Sequence, residues 1–309
     1  MSDLIFVALP FFALILIGYA AVKTQFVAGA SIAGMNAFVY WFALPAMLYG
    51  AIATRPLAEV FQPMLMAGYV FATLPVFSAA LLIGRYALGQ KHGTAAVLAV
   101  GATFPNSGYI GIPFLVALFG PSAAAPVVLL VACDMLILMP LAVMLIEAGR
   151  GGHAAVAALV RVFRGLLSNP LLWSIAVGFA VSALEAAPPT PLARTLELLA
   201  AAAAPCALFA LGGSLADRPW EGRPAALSIL SFLKLCMHPW LVFTVLSFNP
   251  AISGEFITVA VVVAALPSAG TAFVIARQHD TGVAPVSGLI LVSTLLSFVS
   301  MPIMVLLLT

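Results

Sequence analysis

Charge is what this chain has least of. Of its 309 residues only 7% are Asp, Glu, Lys or Arg, 64% are hydrophobic, and mean hydropathy is +1.20. A soluble domain carries roughly 25% charged residues, so a soluble globular protein is excluded and a polytopic membrane protein is implied. The net charge of +2 makes no case for a nucleic-acid partner. Cysteine is scarce too: Cys133, Cys206 and Cys236 are an odd number, lack metal-ligand spacing and lie in apolar stretches, which predicts small buried side chains. No Gly-x-x-x-x-Gly-Lys-Ser/Thr loop is present, so no ATP-driven pump is apparent. Neither His-Glu-x-x-His nor an Asp-Asp-x-x-Asp acidic pair occurs, so a membrane protease or prenyltransferase lacks its machinery. The first apolar run has no basic region before it and reads as a span rather than a cleaved signal. These absences favour a gradient-driven or facilitated carrier over an enzyme, and no metal or cofactor is expected.

A crossing helix needs about 20 apolar residues. Ten segments qualify, roughly 4–22, 32–51, 63–84, 94–118, 123–146, 168–186, 195–215, 225–248, 256–276 and 285–307. Lys23, Arg85, Lys91, Arg150, Arg161, Arg164, Arg218, Arg223 and Arg277 then fall on one side, and Arg55 and Arg194 on the other. Cytoplasmic loops collect Lys and Arg, so nine against two places both termini outside the cell's inner (plasma) membrane. Prolines recur at nearly constant offset: Pro10 with Pro170, Pro45 with Pro205, Pro75 with Pro239, Pro105 with Pro267, and Pro140 with Pro302. The fold predicted is therefore all-α, with two five-helix repeats, 1–150 and 151–309. An odd number of spans per repeat inverts the second relative to the first, as in many secondary transporters.

The organising stretch is Thr103-Phe-Pro-Asn-Ser-Gly-Tyr-Ile-Gly-Ile-Pro113. It lies within 42 residues, His92 to Cys133, that carry no Asp, Glu, Lys or Arg. Pro105 and Gly108 break a helix there. Irregular backbone at membrane depth survives only where protein or a watery cavity satisfies it. Leu266-Pro-Ser-Ala-Gly-Thr271 repeats the break 162 residues later. Two half-helix N-termini, each worth about half a positive charge, with Asn106, Ser107, Ser268 and Thr271, form a candidate anion site. Its expected members are Pro105, Asn106, Ser107, Gly108, Pro267, Ser268, Ala269, Gly270 and Thr271. Ordinary proline kinks are the bland alternative.

Three ionisable residues lie mid-span. Asp134 is a proton or cation site, an element that orients the crossing, or half of a structural pair with Lys234. Lys234 can neutralise an anion. His238 shares its helix face and is either functional or satisfied in the packing. Asn36 either bonds a neighbouring helix or reaches the cavity. Glu147, Arg277 and the loop arginines read as interfacial anchors.

Met35-Asn36-Ala-Phe-Val-Tyr-Trp-Phe-Ala-Leu44-Pro45, Phe104-Pro-Asn-Ser-Gly-Tyr-Ile-Gly-Ile-Pro113, Ala204-Pro-Cys-Ala-Leu-Phe-Ala-Leu-Gly-Gly213, Lys234-Leu-Cys-Met-His-Pro239 and Leu266-Pro-Ser-Ala-Gly-Thr-Ala-Phe-Val-Ile-Ala276 together resemble the auxin efflux carrier family. The resemblance covers nearly the whole chain. It implies ten helices in the fold of bile-acid symporters and sodium/proton antiporters, with broken helices 4 and 9 crossing at the midplane. It implies a scaffold domain from helices 1, 2, 6 and 7 and a transport domain from helices 3–5 and 8–10. Bacterial members carry malonate, malate and other organic acids. The long hydrophilic loop of many plant members is missing here, which points to a bacterial-type carrier. The function expected is secondary transport of a mono- or dicarboxylate by alternating access, coupled, if at all, to protons or sodium. The alternatives are a sodium/proton antiporter using Asp134, or a non-transporting receptor or membrane enzyme. The partners expected are a small organic anion and the lipid bilayer, with a homodimer compatible. Ser268-Ala-Gly stands where repeat 1 has Asn-Ser-Gly, so the two halves of the site should not be equivalent.

Overall fold

A computed structural model describes residues 2–148, 160, 163–186, 188–216 and 222–308. Arg150, Arg161 and Arg218, and the boundary expected between 150 and 151, lie outside the described residues. Those residues are helical throughout, apart from turns and an isolated bridge. We label the helices α1 (Ser2–Lys23), α2 (Gly29–Ala53), α3 (Pro63–Ala87), α4 (His92–Thr103), α5 (Ser107–Phe119), α6 (Pro121–Ala148), α7 (Pro170–Ala183), α8 (Thr190–Ala216), α9 (Pro224–Ser247), α10 (Gly254–Ala265), α11 (Thr271–Gln278) and α12 (Val283–Leu308). Six of them, α2, α3, α6, α8, α9 and α12, are long and apolar enough to cross a bilayer. Large apolar side chains such as Trp41, Phe71, Trp173, Phe232 and Val299 are exposed. In water that exposure is costly; against lipid tails it is not. The same reasoning revises the cysteines. Cys133 is buried, but Cys206 is half-buried and Cys236 exposed, because an apolar position facing lipid need not face protein.

Four of the prolines inside these helices, Pro45, Pro113, Pro140 and Pro239, are accommodated by a repeated local device. A proline cannot donate a hydrogen bond, and its ring crowds the carbonyl four residues back. Wider π-helical turns at Val39–Ala43, Ser107–Gly111, Asp134–Leu138 and Leu233–Met237 each end two residues before Pro45, Pro113, Pro140 and Pro239. The N–H groups of Leu44, Met139 and His238 reach back five residues, to Val39, Asp134 and Leu233. The ladder thus skips a step where the ring would clash. Such turns gather at functional positions, and Asp134, Lys234 and Tyr109 all sit in one.

The described chain divides into two compact units. One comprises residues 1–62, 108–132 and 167–218; the other comprises 63–107, 133–166 and 219–309. In the first, α1 lies against α8 at backbone distance. A Cβ at Gly18 would collide with the Phe209 carbonyl, and one at Gly212 with the Ile15 carbonyl. Small residues at such crossings let membrane helices pack through their main chains. Val22, Ile32, Ala210 and Ala216 form a buried cluster beside this contact. In the second unit, α4 and α10 are buried on every side, from Ala95 to Thr103 and from Val259 to Ala265. Each has 12 residues, about 18 Å of helix, too little for a hydrocarbon core of about 30 Å. Their ends therefore need protein partners.

Candidate functional site

The ends of α4 and α10 meet. Phe104 and Leu266 turn the chain from helical to extended, and Pro105 and Ser268 form an antiparallel bridge. The Asn106 N–H donates to the Pro267 carbonyl at 2.9 Å, and the Ala269 N–H to the Phe104 carbonyl at 3.0 Å. Each proline occupies a position where no donor is required. Two of the N–H groups expected to face a ligand are thus spent on carbonyls of the facing segment.

The carbonyl ends of the two short helices are also satisfied, each in its own way. The Ser268 hydroxyl donates to the Gly101 carbonyl at the end of α4, and the Ser268 N–H donates to Ser293 Oγ at 3.1 Å. At the end of α10, Lys234 Nζ donates to the Ala264 carbonyl at 2.6 Å. A cation there faces the negative pole of the helix and an orphan carbonyl together. One helix end uses a hydroxyl and the other a lysine side chain.

Lys234 also begins a buried polar chain. Its Nζ lies 3.4 Å from His238 Nδ1, His238 Nε2 lies 3.0 Å from Thr73 Oγ1, and Thr73 Oγ1 donates to the Tyr69 carbonyl at 2.7 Å. Thr73 spends its one hydroxyl proton on the Tyr69 carbonyl, so it accepts from His238 Nε2–H, which leaves Nδ1 as an acceptor toward Lys234. The Tyr69 hydroxyl donates to Asp134 Oδ1 at 3.1 Å. Among the described residues Asp134 and Lys234 make no direct ion pair; Tyr69, Thr73 and His238 stand in the polar chain between them. Sequence reasoning missed Tyr69, Thr73 and Ser293. Polar side chains in apolar spans were the available signal for all three.

Two side-chain atoms at the break are different. Asn106 Nδ2 and Ser107 Oγ are buried with no hydrogen-bond partner among the described residues. An unpartnered buried donor costs about 1–3 kcal/mol, and such a group calls for an explanation. Neither Gly108 nor Gly270 has a left-handed backbone, so neither is required there by its φ. A Cβ at Gly270 would meet nothing within 4 Å, and one at Gly108 only Leu44, from 3.5 Å. Glycine leaves space there. Gly270 and Thr271 are half-buried at the start of α11.

Asn36 lies in the first unit. Its amide donates to Ser214 Oγ at 3.2 Å, and its carbonyl accepts from the Tyr109 hydroxyl at 3.1 Å. Glu147, read as an interfacial anchor, is instead buried and pairs with His279 at 2.8 Å. Arg277 is exposed.

The described chain is thus an apolar helical protein with two interrupted helices bonded at their breaks. The chain belongs to the membrane transport protein family, which matches it over residues 4–305; the resemblance to auxin efflux carriers is to this family. It is 31% identical to the "Putative malonate transporter" of Rhizobium meliloti (strain 1021), over 96% of this chain and 93% of that one. It is 26% identical to an "Uncharacterized transporter" of Methanothermobacter thermautotrophicus over 94% and 93%. With the "Uncharacterized transporter YfdV" of Escherichia coli (strain K12) it shares 23% over 88% and 87%. These relatives are transporters, not enzymes.

Proposed function

We propose that this protein is a secondary transporter of a small organic anion, a mono- or dicarboxylate such as malonate or malate. In this reading ten spans form two inverted five-helix repeats in the inner membrane, with both termini outside. The interrupted spans cross at the midplane, a transport domain moves against a scaffold by alternating access, and protons or sodium supply any coupling. The observation that carries the proposal is the pair of buried donors, Asn106 Nδ2 and Ser107 Oγ, without partners among the described residues at the bonded helix breaks. Donors held in place and left unsatisfied are stabilised by an acceptor that brings charge. The space beside Gly270 leaves room for it. The likeness to a protein named for malonate supports the substrate class.

The main-chain pairing between the breaks supports a division of labour. The backbone groups and Ser268 hold the crossing together, while Asn106 and Ser107 meet the ligand. Lys234, on the Ala264 carbonyl, sets the charge at the α10 end without spending itself on an ion pair. Counterflow of labelled malonate and malate in liposomes tests the proposal. Flux that Asn106→Ala abolishes is the expected result; binding without flux would make the protein a receptor. A second reading, a sodium/proton antiporter, is favoured by one feature, the buried Asp134 carboxylate held by a single neutral donor, Tyr69. Sodium-driven proton movement without any organic anion would support it.

A further inference from the structure

The second unit contains a cavity of about 220 Å³ where three helices begin. Leu88 and Gln90 come from the turn before α4, Arg223 and Ala226 from the start of α9, and Ala284 from the first turn of α12. Its floor is made by Leu98, Leu227 and Leu230, all buried. Arg223 is its one charged lining residue, and no carboxylate lines it. The Arg223 main chain is fixed: its carbonyl accepts from the Leu227 N–H at 3.1 Å, and Gly222 before it holds φ at +125°, a conformation that favours glycine. The guanidinium itself is exposed and has neither ion pair nor hydrogen bond among the described residues. Two more cations flank the mouth. Lys91 follows Gln90 directly and is exposed, and Arg85 donates to the Gln90 carbonyl at 3.4 Å. Arg85 also lies 5.9 Å from the ring of the exposed Tyr86, a pairing suited to a membrane boundary.

Polarity changes across this cavity as it does across a lipid monolayer. Leu98 lies seven residues beyond Lys91, and Leu230 seven beyond Arg223, about 10 Å along each helix. Cations stand at the mouth and leucines at the floor. We propose that the cavity holds the phosphate and glycerol of an anionic phospholipid from the surrounding bilayer. The phosphate pairs with the Arg223 guanidinium, Lys91 adds charge at the mouth, and the glycerol end enters toward Leu227 and Leu230. Basic pockets between membrane helices hold lipid headgroups in this way. Size favours the same occupant. Sites that enclose a drug-sized ligand run to about 300–1,000 Å³, so this cavity takes only part of a molecule. A lipid leaves its chains in the bilayer, beside the exposed Ile229 and Phe232 of α9. A free phosphate would meet the cations but leave the leucine floor without a partner. The site shares no residue with the Asn106 and Ser107 pair and does not depend on the transport reading.

The test titrates lipid into the purified full chain in detergent and counts bound molecules by native mass spectrometry. The probe is phosphatidylglycerol, compared with zwitterionic phosphatidylcholine, and inorganic phosphate in large excess is the competitor. Phosphatidylglycerol is expected to bind more tightly than phosphatidylcholine, and phosphate is expected not to displace it. Arg223→Gln is expected to weaken phosphatidylglycerol about fivefold, and Arg223→Gln with Lys91→Gln roughly twenty-fivefold. Ala226→Leu, which fills the cavity and keeps every charge, is expected to weaken it at least as much as Arg223→Gln. Lys23→Gln, which removes an exposed cation of the first unit, is expected to bind like wild type. Should Arg223→Gln fail to fold, Lys91→Gln and Ala226→Leu carry the test. Wild-type affinity in either the folded Arg223 or the folded Ala226 variant would overturn the proposal. So would equal binding of phosphatidylcholine, displacement by inorganic phosphate, or a loss in Lys23→Gln as large as that in Arg223→Gln, the mark of diffuse attraction without a site.

Discussion

Truncating Asn106 to alanine separates a ligand-binding amide from a structural one. The substitution leaves the main-chain bond from Asn106 N to the Pro267 carbonyl, 2.9 Å long, in place. What it removes is Nδ2, buried and without a partner among the described residues. Relief of an unsatisfied donor returns about 1–3 kcal/mol, and loss of a small packed group costs about the same. Stability should therefore change by no more than about 1 kcal/mol, a few degrees in melting temperature for a chain of this size. Binding should respond differently. A hydrogen bond to a charged acceptor is worth about 1.5–3 kcal/mol, so the dissociation constant for malonate or malate should rise roughly tenfold to a hundredfold. Calorimetry on purified protein, with parallel melting curves, measures both quantities. A melting temperature that falls by ten degrees would mean the amide is structural. An unchanged dissociation constant, or equal binding of a neutral diamide analogue, would refute the anion site.

Four further outcomes are expected. Asp134→Asn should fold, because an amide oxygen still accepts from Tyr69, yet transport should slow or change its pH or sodium dependence; wild-type flux with an unchanged pH profile would reduce Asp134 to packing. Lys234→Met should lower stability by about 2–3 kcal/mol through loss of the charged donor to Ala264, measured by denaturant unfolding, and a more stable variant would show that desolvating the ammonium outweighs its cap. Gly212→Ala should cost at least about 2 kcal/mol, since its Cβ meets the backbone of Ile15 and backbone yields less readily than a side chain. Reporter fusions at Thr309 should read outside and fusions near Arg150 cytoplasmic; a cytoplasmic C-terminus would sink the ten-span inverted topology.

Composition and local pattern alone determined that this is an apolar, polytopic helical chain, and where its helices break. Pro105 and Pro267 sit in runs too apolar to be loops, and backbone chemistry is local, so their effect is legible one residue at a time. The sequence likewise marked Asn106, Asp134 and Lys234, because a polar group in a long apolar run stands out. Which partner each one takes was settled only in three dimensions. The Asn106 N–H bonds to Pro267, and Lys234 takes a carbonyl of α10 rather than Asp134. Glu147 turns inward to His279, and Cys236 faces outward. All of these depend on contacts between residues far apart in the chain, which no local spacing encodes. The tertiary structure also separated spent donors from unspent ones. Ser268 and Ser107 are both serines at a helix break, yet one is tied to Gly101 and Ser293 while the other keeps a buried hydroxyl without a partner among the described residues. A hydrogen bond is a matter of ångströms and angles, so only the folded arrangement decides which of two like groups is left to meet a ligand.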